Sequence, residues 1–327
     1  MSSETPAGVT NAPAAEELPW HQAQWRAVAR ALKADRLPHA WLIHGGAGLG
    51  KRRFARVLAQ VLLCPEVKIH AQALAPCGRC ASCRQFAAGL HPDFLELQPE
   101  EDSREIKIDQ VRELIGRLQL SKHHGLRKVA LLDPAEALNR NAADALLKTL
   151  EEPPPGTHLL LIGERIGLLS ATLRSRCQRL SFIRPDASSA LAWLSSQGLA
   201  DAQYSLAAAE GAPLRAQALA GSDVLNRQHA WDQQLAALIC GKGDLVQVAD
   251  SWSKEPAQEW LSWLDRSCRQ ALQHKLSSAR HSALAALPWL RLMALSAKLV
   301  DMYKMQNKPV RWPWQIEGLL GELLEPV

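Results

Sequence analysis

The chain has 327 residues, 47% of them hydrophobic, and a formal charge of +5, which is enough apolar material for two or three cores and too mild a basic excess to define a nucleic-acid binder. No run of about 18 apolar residues occurs, and the opening MSSETPAGVTNAPAAEELPW has neither a basic start nor an apolar h-region, so membrane insertion and export are not expected and the cytoplasm is. Seven cysteines are an odd number, and four of them lie between 64 and 83, a pattern that in a cytoplasmic chain points to metal more than to disulfides.

Residues 1–18, rich in Ala, Pro, Ser, Thr and Glu without periodicity, read as a disordered tail. From Trp20 to about Phe182 short apolar runs alternate with amphipathic segments. The pattern predicts strands at 39–45, 93–98, 128–133 and 158–163, with helices at 51–63, 109–120 and 142–150 between them. That is the rhythm of a parallel α/β sheet, with Gly-rich and Pro-rich turns at 45–50 and 151–156. After Arg184-Pro185 everything reads as helix. Residues 186–221 have the size of a three-helix module, and roughly 225–327 form longer amphipathic helices bearing Trp231, Trp252, Trp260, Trp263, Trp289, Trp312 and Trp314. Those tryptophans read as helix-packing anchors, because no basic groove interleaves with them as a base-stacking platform would require. Cys177, Cys240 and Cys268 read as ordinary buried thiols.

Residues 44–52, HGGAGLGKR, follow an apolar strand and open a helix. Gly45, Gly50 and Lys51 match the phosphate-loop pattern of Gly, four residues, Gly-Lys. In a working loop the backbone N–H groups face phosphates, the lysine reaches the terminal ones, and a following Ser or Thr ligates magnesium. Here that last position is Arg52, whose guanidinium has no acceptor and cannot bind a cation. The strand 128–133 ends in Asp133, but Pro134 stands where a second carboxylate would position water, and Glu136 is too far along the loop to replace it. At the end of the next strand Gly163-Glu164 stands where an ATPase of this kind presents Thr or Asn. ATP and Mg2+ are therefore not expected to be used by this chain. A glycine-rich turn that never met a nucleotide is the competing reading.

Cys64, Cys77, Cys80 and Cys83 form a C-x12-C-x2-C-x2-C set between the loop helix and the second predicted strand. Zinc takes four thiolates tetrahedrally, and Gly78-Arg79 supplies a tight turn for the close pair, so a structural Zn2+ is expected. Redox use of a C-x2-C pair is the alternative. His70 and His91 are spare ligands that read more simply as solvated histidines.

The four-cysteine insertion, His91-Pro92-Asp93, the run NAADALLKTLEEPP at 141–154 and Leu173-Arg174-Ser175-Arg176-Cys177 together resemble the bacterial DNA polymerase III clamp-loader subunits of the AAA+ family. The resemblance is clear over residues 20–183 and vaguer beyond. It implies a RecA-like AAA+ domain at 19–184 carrying the insertion 64–83, a helical lid at 185–224 and an all-α collar at 225–327. In that family the gamma and tau ATPases keep the magnesium hydroxyl and the paired carboxylates, and a non-hydrolysing subunit type has lost parts of both. Arg52 and Pro134 place this chain with the latter, a gamma/tau-type ATPase being the alternative. The resemblance further implies that Arg176 is an arginine finger acting in trans on a neighbour's ATP, and that Arg215 corresponds to a nucleotide-sensing lid arginine. Arg174 and Arg179 read as solvated or DNA-facing. The implied partners are gamma/tau and delta subunits and, through the assembled complex, the sliding clamp and primed DNA, with no membrane. A zinc-dependent nucleic-acid module ranks last, since only Lys68, Arg79 and Arg84 lie near the cysteines.

Overall fold

The computed structural model describes residues 18–69, 74–123, 127–274, 283–305 and 310–324. Residues 1–17 of the expected tail at 1–18, and His70, lie outside them, whereas Leu18, the last residue of that tail, is buried. The chain divides into two compact units, one running to Ala200 together with Gly211–Arg215 and the other comprising Asp201–Glu210 and the residues from Ala216 onward.

In the first unit α1 (Gln22–Lys33) leads to β1 (Ala40–Gly45), α2 (Lys51–Leu63), a short hairpin of β2 (Lys68–Ile69) and β3 (Leu74–Ala75), and α3 (Ala81–Ala87). Then come β4 (Phe94–Leu97), α4 (Ile108–Gln119), β5 (Lys128–Leu132), α5 (Arg140–Glu151), β6 (Thr157–Gly163), α6 (Ala171–Ser175), β7 (Gln178–Phe182) and α7 (Ala187–Ser196). The five longer strands make one parallel sheet in the order β4-β5-β6-β1-β7. Successive side chains of each central strand enter opposite cores. Trp41, Ile43, Leu131, Leu160 and Ile162 pack with Trp25 and Val28 of α1 and Phe54 and Leu58 of α2. Leu42, Leu132, Leu159 and Leu161 pack with Val111 and Leu114 of α4 and Leu146 and Leu150 of α5. Burial on both faces is why these strands read as unbroken apolar runs.

Sequence reading missed α1, the hairpin β2–β3, α3, α6 and β7, and two of these matter for the sheet. β7 is an edge strand whose only buried side chains are Leu180 and Phe182, so Gln178, Arg179 and Ser181 dilute its pattern. α1 was not singled out although Trp25, Val28 and Ala29 form its buried face. β1 lies between β6 and β7, and the chain runs from it first to one side of the sheet and later to the other. Such a reversal opens a crevice at the carboxyl ends of the strands.

Residues 185–224 contain three helices, α7, α8 (Ala202–Ala208) and α9 (Pro213–Leu219), and the boundary between the units falls inside this segment. The second unit continues with α10 (Asp223–Ile239), α11 (Leu245–Ser253), α12 (Ala257–His274), α13 (Trp289–Met305) and α14 (Trp312–Leu324). Trp231, Trp252, Trp260 and Trp263 are the centre of its core, and the Trp252 indole N–H donates to Gln234 at 2.7 Å. Trp312 is partly buried against the same core. Trp289 and Trp314 are not anchors: they remain 45% and 64% exposed. Cys177 and Cys268 are buried as expected, whereas Cys240, at the end of α10, is exposed.

Candidate functional site

The loop 45–50 leaves the carboxyl end of β1 and enters α2 at Lys51. Gly45 has φ 148°, and a Cβ there would lie 2.1 Å from the Phe182 carbonyl oxygen of β7. Gly50 caps α2 in the left-handed region at φ 84°, with Leu18, His21 and Leu214 closing over it. Only glycine permits both the conformation and the close approach. The carbonyl of Leu49 accepts from the Trp20 indole N–H at 3.0 Å and the His21 ring at 2.7 Å. Burial drives the His21 imidazole down to about 4; its bond to Leu49 resists that, and nearby Arg53 adds to it. From the other side the Leu214 N–H donates to the Gly48 carbonyl at 3.2 Å.

Lys51 and Arg52, the charged groups at the start of α2, are paired within the site. The Lys51 ammonium donates to the Gly46 carbonyl of its own loop at 2.6 Å and sits 3.6 Å from the Glu164 carboxylate. Burial lowers its pKa and Glu164 offsets part of that. Arg52 donates to Glu96 at 2.7 Å and lies 3.6 Å from Asp133, while Arg56 holds the second Glu96 oxygen at 2.6 Å. Burial raises the Asp133 carboxyl and the Arg52 guanidinium lowers it. A guanidinium therefore faces the carboxylate that would otherwise help to hold a divalent cation. Glu136 accepts the backbone N–H groups of Glu164 and Arg165. A Cβ at Gly163 would lie 3.3 Å from that carboxylate, so glycine at the end of β6 makes room for Glu136 and leaves no side chain there to sense phosphate. Lys51, Arg52, Asp133, Glu136, Gly163 and Glu164 are among the residues that line a cleft of about 710 Å³.

Gly45, Gly50 and Lys51 are thus brought together with Asp133 and Gly163, and Arg176 is not among them. Arg176 ends α6, donates to the Thr172 carbonyl at 3.0 Å and forms an ion pair with Glu151 at the end of α5. β7 runs parallel to β1 with Gln178 beside Trp41 and Phe182 beside Gly45. Arg176 precedes the start of β7 and the cleft opens at its end, four residues or about 13 Å further along the strand. Arg215 is exposed, and Leu214 is the member of its segment that lines the cleft. Sequence reading missed Glu96 and Glu164 as partners of Arg52 and Lys51. A lone carboxylate inside the apolar strand FLEL was the available signal for Glu96.

The four cysteines meet as the spacing predicts. Cys64 ends α2, Cys77 follows β3, Cys80 caps α3 and Cys83 lies in its first turn. Gly78 turns between them at φ 74°. The four sulfurs lie within 4.8 Å of one another, with Cys77 and Cys83 at 4.0 Å. Thiolates bound at about 2.3 Å to a tetrahedral ion stand about 3.8 Å apart, so the set fits one metal ion. Backbone N–H groups of Cys77, Cys80 and Cys83 donate to the sulfurs of Cys64, Cys77 and Cys80 at 3.4, 3.3 and 3.3 Å, as suits thiolates. His91 is not solvated: it is buried, 2.8 Å from the Ser82 hydroxyl, and accepts the Asp93 N–H at 3.1 Å.

The sequence comparisons place this parallel sheet with a phosphate loop at its switch point, followed by a mostly helical C-terminal part, in the AAA+-like clamp-loader class. A family model described as DNA polymerase III, delta subunit, matches residues 20–186. The chain is 39% identical over 255 residues to DNA polymerase III subunit delta' of Pseudomonas aeruginosa, covering 76% of this chain and 75% of the relative. To subunit delta' of Escherichia coli it is 30% identical over 308 residues, 93% and 86% of the two chains. The chain belongs to the delta-prime family of DNA polymerase III clamp-loader subunits. It is also 37% identical to subunit tau/gamma of Haemophilus influenzae over 151 residues, 46% of this chain and 21% of that protein. No helix among the described residues is long and apolar enough to cross a membrane.

Proposed function

We propose that this chain is the non-hydrolysing subunit of the clamp loader, completing the ring and presenting Arg176 to the ATP of a neighbouring gamma/tau subunit, so that the sliding clamp is loaded on primed DNA. The observation that carries this reading is the internal pairing of the cleft. Lys51 is held by Gly46 and Glu164, and Arg52 by Glu96 and Asp133, where a hydrolase needs a free ammonium and a magnesium ligand. Arg176 is too far from its own cleft to act in cis. A guanidinium fork at the protein surface can leave an exposed carboxylate such as Glu151 for a phosphate, which binds it bidentately.

The cysteine centre is assigned a structural Zn2+, which an all-sulfur donor set with no open position favours. It would join the end of α2, the hairpin and α3, a segment with too few buried apolar residues to order itself. The division into a nucleotide-fold domain at 19–184, a lid at 185–224 and a collar at 225–327 belongs to the same reading. One face of α13, with Leu290, Met293 and Val300 exposed, offers the collar an apolar stripe for neighbouring subunits, delta among them.

ATP hydrolysis by the purified chain tests the reading. No turnover is expected, and Arg52→Thr alone should not restore it, because Pro134 and Gly163 remain. Magnesium-dependent turnover by the unaltered chain would make it a gamma/tau-type ATPase instead.

A further inference from the structure

Two carboxylate-free segments meet at the open edge of the sheet. Residues 19–34, which include α1, contain Arg26, Arg30 and Lys33 but no Asp or Glu, and residues 171–185, which include β7, contain four arginines and again no Asp or Glu. Ala27 and Ala31 lie one turn apart on α1, and their small side chains leave a gap beside the edge strand. The gap is a groove of about 410 Å³ lined by Ala27, Arg30, Ala31, Arg36, Trp41 and Arg179, among others. Among the described residues no carboxylate pairs with Arg30, Arg36 or Arg179, Asp35 included. Trp41 is buried, and its indole N–H has no acceptor. Buried donors are nearly always satisfied, and three guanidiniums around one groove call for more than one negative charge.

We propose that this groove is an oxyanion site that takes phosphate groups, supplied by a nucleic-acid strand lying along the edge of β7. A strand delivers one charge per nucleotide to successive guanidiniums, whereas a single protein carboxylate would satisfy one. The indole N–H adds a neutral donor to a phosphate oxygen. The site is separate from the phosphate loop, which lies at the other end of β1, and it does not depend on the role of Arg176.

The test uses the full chain and two probes, a labelled single-stranded oligonucleotide followed by anisotropy and inorganic phosphate followed by the Trp41 indole resonance. Replacing Arg30, Arg36 and Arg179 together by Ala should weaken strand binding about tenfold and flatten the slope of log Kd against log salt by about 2, as the loss of three single-strand phosphate contacts requires. Trp41→Phe should weaken binding about threefold and leave the salt slope unchanged, because it removes a neutral donor. Binding of inorganic phosphate without the strand would keep the oxyanion site and make free phosphate its source. The proposal is overturned if the triple variant binds the strand as the unaltered chain does and the indole resonance ignores phosphate. It is equally overturned if the variant keeps both bindings and loses association with gamma/tau, which would make the groove a protein interface.

Discussion

His21 and the loop it supports show how single residues fix the cleft. In the unfolded chain the imidazole titrates near 6.5, and in the folded chain at about 4. Between those values the unfolded state holds the extra proton, so stability is complete above pH 6.5 and declines as pH falls toward 4. The decline amounts to about 2 kcal/mol between pH 7 and pH 5. Urea unfolding of His21→Gln should show a pH dependence smaller by that amount, and identical dependence in the two proteins would refute the assignment. Gly45→Ala forces a methyl against the Phe182 carbonyl and should cost about 2 kcal/mol or more, measured in the same way. Much of this was legible in the sequence. Arg52, Pro134 and Gly163 each stand, by residue type alone, where the hydrolysing pattern has a different residue. What replaces that function was not legible, because the partners Glu96 and Glu164 reach Arg52 and Lys51 only through the pairing of separate strands.

Among the elements, the central strands and the helices between them could be read because burial on both sheet faces makes continuous apolar runs. β7 escaped because only Leu180 and Phe182 of its five residues are buried, an alternation too short to stand out in the sequence. In the helical unit, composition alone could not separate the four buried tryptophans from the exposed Trp289 and Trp314, since both groups lie on helices of similar pattern. The cysteine insertion was the most legible feature, as its spacing specifies a metal geometry before any fold is known. If it holds a structural zinc, the purified chain should contain one ion. Removing it under reducing conditions should lower Tm by about 5 °C or more, and Cys80→Ser should mimic the effect. An unchanged Tm after verified metal loss would end the structural role.

For the whole molecule, the proposed role joins a cleft whose Lys51 and Arg52 are paired internally to an arginine at the opposite end of the strands. The two features are consistent only in an assembly: a residue that cannot serve its own phosphate loop can serve a neighbour's. The sequence motif pointed to Arg176, and the parallel register of β1 and β7 supplies the reason it cannot act in cis. The most direct measurement is DNA- and clamp-stimulated ATP hydrolysis by the complex reconstituted with gamma/tau and delta, comparing the unaltered chain with Arg176→Ala. The exposed pair with Glu151 contributes little, so the variant should keep its stability within about 0.5 kcal/mol and still assemble. Its stimulated turnover should fall at least about tenfold. Unchanged stimulated turnover in a complex shown to contain the variant would contradict the account.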